Sequence, residues 1–168
     1  MLKLAHTYQD KLNKAYSSII FQDKYKYYNC DNYWSYTKEV SKDSWNNLEF
    51  VSVDKNDNVI GYLGAGISRS TEKVASLGIM NFYDINITFS KDLYQFLHDL
   101  FMKFNFRKIE FIVVIGNPAE KMYDKYIEKY GGRIVGVSRE STKLQDNKYY
   151  DIKEYEIFRD DYLKVIQK

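Results

Sequence analysis

Lys108–Val137 reads KIEFIVVIGNPAEKMYDKYIEKYGGRIVGV, and its parts decide the fold. Lys108 to Ile115 reads as a strand too apolar to be solvated on either face. Asn117-Pro118-Ala119 opens a helix from Pro118 to Tyr130, Gly131-Gly132 stops it, and Arg133 begins another strand. A strand buried on both faces belongs in a sheet covered by helices, and ligands of such sheets gather where strand ends meet helix starts. Asn117 is thereby placed at a binding mouth, although an ordinary strand-helix-strand unit with a capping Asn produces the same pattern.

Working outward, the apolar helix face Leu93, Phe96, Leu97, Leu100, Phe101 and Phe104 predicts a helix over Phe89–Phe104 with Ser90 as its cap. His98 lies off that face and reads as a solvated histidine. Before it, LEFVSV from Leu48, the turn residues Asp54 to Asn58 and VIGYLGAGIS form a hairpin. A turn at Ser70–Lys73 and a strand over Val74–Ile85 follow. Leu4, Tyr8, Leu12 and Ala15 recur at helical spacing and predict a helix over Leu4–Tyr16, whereas Tyr16 to Tyr36 has no clean period. RIVGV and KYYDIKEYEIF form a last strand pair, and a short charged tail ends the chain. The order is α+β, a mostly antiparallel sheet crossed by helices in one domain spanning 1–168, with no internal repeat or linker.

At 168 residues the chain is long enough to bury one core, and 17 Tyr with 10 Phe supply much of it. The single cysteine, Cys30, excludes an internal disulfide, and His6 and His98 have no metal-ligand spacing around them. No apolar run has signal-peptide or membrane-spanning length, so the expectation is a soluble cytoplasmic protein without a metal or a membrane partner. A net charge of +2 gives no field that implies nucleic acid. The alternation of Lys24, Tyr25, Lys26, Tyr27 and Tyr28 still admits a stacking surface for single strands, or simply a half-exposed edge. Gly61, Gly64 and Gly66 are spaced like a phosphate loop but sit inside a strand, where small residues permit a bulge or close packing. There is no Gly-x-Ser-x-Gly elbow, and two isolated histidines assemble no Ser-His-Asp set. On the helix after Asn117, Met122, Tyr123, Tyr126, Ile127 and Tyr130 form a core stripe. A tyrosine at its mouth end, Tyr123 above all, can donate a proton to a leaving thiolate, because a phenol near 10 is a fair match for a thiol.

The order of hairpin, strand, helix, strand, Asn-Pro-Ala helix, Gly stop and final hairpin, over Leu48 to Tyr162, resembles the GNAT superfamily of acetyl-CoA-dependent N-acetyltransferases. Asn117-Pro118-Ala119 and the ending YYDIKEYEIFRDDYL, with Asp151, Tyr155, Arg159 and Asp160, are most similar to its ribosomal-protein N-terminal acetyltransferase branch. The resemblance implies a three-layer α/β/α fold whose mixed, mostly antiparallel sheet splays between the fourth and fifth strands. It implies acetyl-CoA as co-substrate and direct attack by a primary amine, on a protein N-terminus or a small molecule, and it leaves a homodimer open. Carried onto this chain, it makes Phe82, Tyr83, Asn86, Phe89, Ser90, Lys91, Asn117 and Tyr123 cofactor contacts, with Tyr123 and Asn117 catalytic.

This sequence departs from the family at two places. Asp84 stands where the pyrophosphate loop has Arg or Gln, and Ile87 and Phe89 stand where it has glycines, so Asp84 and Asp92 oppose a pyrophosphate and Lys91 is the nearby cation. The helix after Asn117 is about one turn longer, so the usual tyrosine position holds Asp124 or Ile127, with Tyr123 and Tyr126 beside it. The alternative these departures raise is a binding or regulatory protein that keeps the fold and has lost acetyl-CoA, its cleft plugged by those side chains. Asp84 and Glu49 are the candidate bases. A site with no clear base suits an α-amine, roughly a tenth neutral at pH 7, better than a lysine side chain.

Overall fold

The β-rich middle and the amphipathic helices around it fold into one sheet with helices on both faces. The computed structural model describes residues 1–28 and 35–167; Cys30 and its neighbours in the aromatic stretch lie outside them. The elements are β1 (Leu2–Leu4), α1 (Gln9–Ser17), β2 (Asn47–Val53), β3 (Val59–Ser68), β4 (Lys73–Asn81), α2 (Ile87–Met102), β5 (Lys108–Val114), α3 (Glu120–Lys129), β6 (Arg133–Lys143), β7 (Tyr149–Phe158) and α4 (Arg159–Ile166). Short 3-10 segments at Ala5–Tyr8 and Asp23–Tyr28 flank α1.

The sheet has seven strands in the order β1-β2-β3-β4-β5-β7-β6. Every neighbouring pair is antiparallel except β4 and β5, which are parallel and joined by only two residue pairs, Lys73 with Lys108 and Val74 with Ile109. Beyond Val74 the two strands separate, which is the predicted splay. One face carries α2, α3 and α4 over a core that includes Phe96, Leu100, Phe101, Phe111, Tyr123, Ile127, Tyr155 and Tyr162. The other carries α1 and the Asp23–Tyr28 segment over Val51, Val53, Tyr62, Met80 and Phe82. The layering is thus the expected three-layer α/β/α, with the third layer over the β2–β4 half.

Several expectations are corrected. β5 is not buried on both faces: Ile109, Phe111 and Val113 point into the core, whereas Ile112 is 53% exposed. Lys108 and Glu110 on that same outer side join an ionic ladder with Lys73, Glu156 and Arg133. The strand before α2 ends at Asn81, four residues early, because α2 starts at Ile87 under an Asn86 cap whose side chain accepts from the Phe89 N–H at 3.0 Å. Ser90 is inside the helix, its hydroxyl donating to the Asn86 carbonyl. α3 begins at Glu120, so Pro118 lies in the turn before it. Leu4 ends a strand rather than opening a helix, and the charged tail is a helix whose Tyr162 stacks on Phe101 at 4.8 Å between ring centres. His98 is half-buried and paired at 2.9 Å with the Tyr162 hydroxyl.

Candidate functional site

The site grows from the unfinished β4–β5 pairing. Phe82 N–H donates to Ile60 O on β3 at 3.1 Å, so antiparallel alternation turns the N–H and C=O groups of Leu77, Ile79 and Asn81 away from β3, toward the gap. An extra residue, Ala75, bulges β4 where the register shifts from Gly66–Ser76 to Ile67–Val74, just beside the point of separation. The wedge is a cleft of 170 Å³ lined by Leu77 to Met80 on one side, Phe111 to Val114 on the other, and by Tyr27, Tyr28, Asn117 and Tyr123. It opens into a cavity of 370 Å³ between the starts of α2 and α3, which Tyr83, Asp84, Phe89, Ser90, Asn117, Met122 and Tyr123 help to line.

Five of the eight predicted contacts, Tyr83, Phe89, Ser90, Asn117 and Tyr123, therefore meet around one opening. Three do not. Phe82 turns its ring into the core under α1, Asn86 is consumed in capping α2, and Lys91 lies in a separate groove. Asn117 is held by its own turn, its Oδ1 accepting from Ala119 N–H at 2.9 Å, which leaves its side-chain N–H₂ group without a bond to the described residues. Tyr123 is 8% exposed, packs edge-on against Phe111 at 5.4 Å, and its hydroxyl makes no hydrogen bond to a described residue while lining both openings. Burial, helped by neighbouring Tyr28, pushes its phenol above the ordinary range, so it stays protonated.

The charges near the cavity also sort differently from expectation. Asp92 turns away, bonded to Ser52 Oγ at 2.6 Å and to the Met1 amino group at 2.7 Å. Asp84 is paired with Lys24 at 3.0 Å, and Glu49 accepts from the Tyr62 hydroxyl at 2.6 Å and Ser41 N–H at 2.8 Å, so both candidate bases are occupied. Of the side chains expected to plug the cleft, Ile87 is 71% exposed and outside the cavity, whereas Asp84 and Phe89 line it.

One feature the sequence reading missed lies alongside. A groove of 430 Å³ between α2 and α3 is floored by Tyr94, Tyr126 and Tyr130, rimmed by Lys121, Lys125 and Lys129, and joined through the same tyrosines to the pit that holds Lys91. None of these four lysines pairs with a carboxylate among the described residues. Glu120 and Asp124, on the other side of α3, face Lys153 instead. The signal was a lysine every fourth residue, a like-charge spacing that costs an isolated helix a few tenths of a kcal/mol per pair.

No family model matches the chain, and no curated protein matches it. Solved structures do. The spermidine/spermine N-acetyltransferase SpeG from Vibrio cholerae superposes with a TM-score of 0.61 at 22% identity, over 72% of this chain and 70% of that one. A SpeG chimera between the V. cholerae and hSSAT sequences gives 0.59 at 24% identity, over 72% and 70%. A structure whose description reads "putative acetyltransferase" gives 0.56 at 18%, over 73% and 62%. At these identities the likeness establishes the fold alone, a mixed α+β fold shared with those acetyltransferases.

Proposed function

We propose that this chain is an acetyl-CoA-dependent N-acetyltransferase acting on a primary amine. The observation that carries the reading is the open, unpaired β4 edge at Leu77 and Ile79 with the free Tyr123 hydroxyl beside it. Backbone groups shielded from water demand partners, and an extended amide-bearing arm lying in the wedge supplies them as an added strand would. The fit extends outward: the cavity at the α2 start gives the arm its entry, and Lys121, Lys125, Lys129 and Lys91 stand where a polyphosphorylated end needs cations. Those lysines do the work that loop glycines do elsewhere in the superfamily.

Bound acetyl-CoA supplies a thioester whose carbonyl carbon takes the amine nitrogen, the C–N bond forming as the C–S bond breaks and sulfur leaves as thiolate. The chain's own part is to orient and to move protons. Backbone N–H groups of the bulged β4 face the developing negative charge on the thioester oxygen. Asn117 holds an arm carbonyl through its free side-chain N–H₂ group. Tyr123 gives its proton to the leaving sulfur, and the proton that the nitrogen sheds passes to solvent, from which the phenol regains its own. With Asp84 and Glu49 both engaged, an acceptor that is already partly neutral is favoured, an α-amine at a peptide terminus over an alkylamine. Spermidine, the substrate named for the structural neighbours, is the competing acceptor.

Calorimetric titration with acetyl-CoA tests the cofactor: saturable heat is expected, and no heat or thermal shift at millimolar ligand removes the reading in favour of a fold that has lost acetyl-CoA. Thiol release with an N-terminal peptide and with spermidine then ranks the acceptors. A rate that climbs steeply above pH 9 with a purified acceptor counts against the α-amine.

A further inference from the structure

The Asp23–Tyr28 segment crosses the mouth of the wedge, and its hydrogen bonds are unlike those of an ordinary surface turn. The Tyr28 hydroxyl donates to Asn81 O at 3.0 Å and accepts from Asn81 N–H at 3.2 Å, so one side-chain oxygen satisfies both backbone groups of a strand residue. Asn81 is the third of the three residues that turn their backbone toward the gap, after Leu77 and Ile79. The Tyr25 hydroxyl takes the next carbonyl, Phe82 O, at 3.0 Å. The segment is tied to both sides of the splay: Lys24 to Asp84 after β4 at 3.0 Å, and Lys26 to Asp146 in the β6–β7 turn at 3.0 Å. Tyr27 meets Tyr150 edge-on at 6.1 Å.

We infer that Tyr28 is a positioning residue that sets the register of the thioester arm on β4. This rests on the acetyltransferase reading and adds to it. With Asn81 capped, the arm finds only Leu77 and Ile79 as backbone partners. Two such positions leave it a single alignment, with its reactive end at the inner end of the cleft beside Leu77 and Phe111, the ring against which Tyr123 packs. Side chains and backbone polarity both repeat every two residues along a strand, so an arm that gains Asn81 as a partner shifts by one repeat, about 6.6–6.8 Å, toward the wide cavity. That shift withdraws a two-carbon acyl group from the acceptor and leaves room for a longer one. Tyr28 is therefore also a determinant of acyl length.

The test compares wild type and Tyr28→Phe with acetyl-CoA and hexanoyl-CoA, in the presence of the acceptor that wild type uses best. Wild type is expected to favour acetyl-CoA by tenfold or more in kcat/KM. Tyr28→Phe should lose kcat for acetyl-CoA with KM unchanged or lowered, and the hexanoyl-to-acetyl ratio should rise at least tenfold. A purely structural role lowers both substrates together, so a ratio within twofold of wild type overturns the inference whatever happens to absolute rate or melting temperature. Amide exchange on the wild-type protein supplies a second readout that needs no variant. Asn81 N–H should be protected with or without CoA, and Ile79 N–H only with it; CoA-dependent protection of Asn81 overturns the inference as well. Failure of wild type to bind acetyl-CoA at all removes the enzyme reading and this inference with it, whereas binding and turnover with an unchanged ratio removes this inference alone.

Discussion

Replacing Tyr123 with phenylalanine separates catalysis from stability. The ring packs against Phe111 at 5.4 Å and Tyr155 at 6.5 Å, contacts that phenylalanine keeps. The hydroxyl that is lost bonds to no described residue, and burial opposes its ionised form. The hydroxyl lines the cleft rather than being sealed in the core, so its loss strands no partner, and Tyr123→Phe should change stability by no more than about 0.5 kcal/mol. For a chain of 168 residues this is a shift of at most about 2 °C in Tm. Loss of a positioned general acid costs about 10²- to 10⁴-fold, or roughly 2.7–5.4 kcal/mol of barrier. Thiol release under saturating acetyl-CoA gives kcat, calorimetry gives Kd, and a thermal scan gives Tm. The expected set is a kcat reduced a hundredfold or more, an unchanged Kd and a Tm within about 2 °C of wild type. A kcat within about threefold of wild type refutes the acid role, and a Tm lowered by several degrees refutes the claim that the hydroxyl is unpaired. The pH profile adds a sign. Because the folded phenol is raised, its proton-donating form persists past the ordinary value near 10, so wild-type kcat should show no descending limb below about pH 10.

Three further outcomes follow from other parts of the molecule. Lys121→Glu with Lys125→Glu should raise KM for acetyl-CoA tenfold or more while leaving kcat within about threefold, and should flatten the salt dependence of KM; steady-state kinetics between low and high salt checks this. Gly61→Ala drives a methyl into the Phe89 ring and 2.7 Å from the Met80 carbonyl oxygen, so it should cost about 1–3 kcal/mol in urea unfolding and disturb the start of α2, whereas Gly136→Ala, with nothing within 4 Å, should not. Glu156, 5% exposed, is held below the usual carboxylate range by its bond to Lys108 and, after the opposing effect of burial, by Arg133. A depressed folded pKa contributes stability above the unfolded value near 4.3 and loses it as pH falls through the folded one. Unfolding free energy should therefore drop below about pH 4. Glu156→Gln should remove part of that drop and cost about 2–3 kcal/mol at pH 7, less than a fully stranded buried charge because Lys108 keeps Glu110.

Much of the fold was legible because its signals are local. The turn between β2 and β3 announces itself through Asp54 to Asn58, where Asp54 accepts from the N–H groups of Asn56 and Asn58. The α2 face is legible because Leu93, Phe96, Leu97, Leu100 and Phe101 are all buried together. Errors collect where a side chain competes for a boundary. Asn86 rather than Ser90 caps α2 because only an extended residue can turn its side chain onto the third N–H ahead, and Ser90 already has helical neighbours on both sides. α4 read as a charged tail because its single buried anchor, Tyr162, gives no period; only the ring of Phe101 beneath it shows why the helix docks.

The site was legible only in its chain-local half. Asn117 and Tyr123 lie within two turns of one another, and strand-to-helix position alone brings them to the opening. The other half is built from pairs that no period encodes. Tyr28 meets Asn81 across 53 positions, Lys24 meets Asp84 across 60, and Lys26 meets Asp146 across 120. Each partner alone reads as an unremarkable surface residue, and the run Lys24 to Tyr28 reads as a basic-aromatic surface. In the fold the two lysines are neutralised by carboxylates from opposite sides of the gap, and two of the tyrosines end the exposed backbone of β4. A strand edge left unpaired invites any passing chain, so a protein that keeps one open for a ligand must decide where the opening stops. Here that stop is a phenol rather than a backbone, which is why it escaped a reading based on strand and helix patterns, and why a single oxygen atom can be removed to test it.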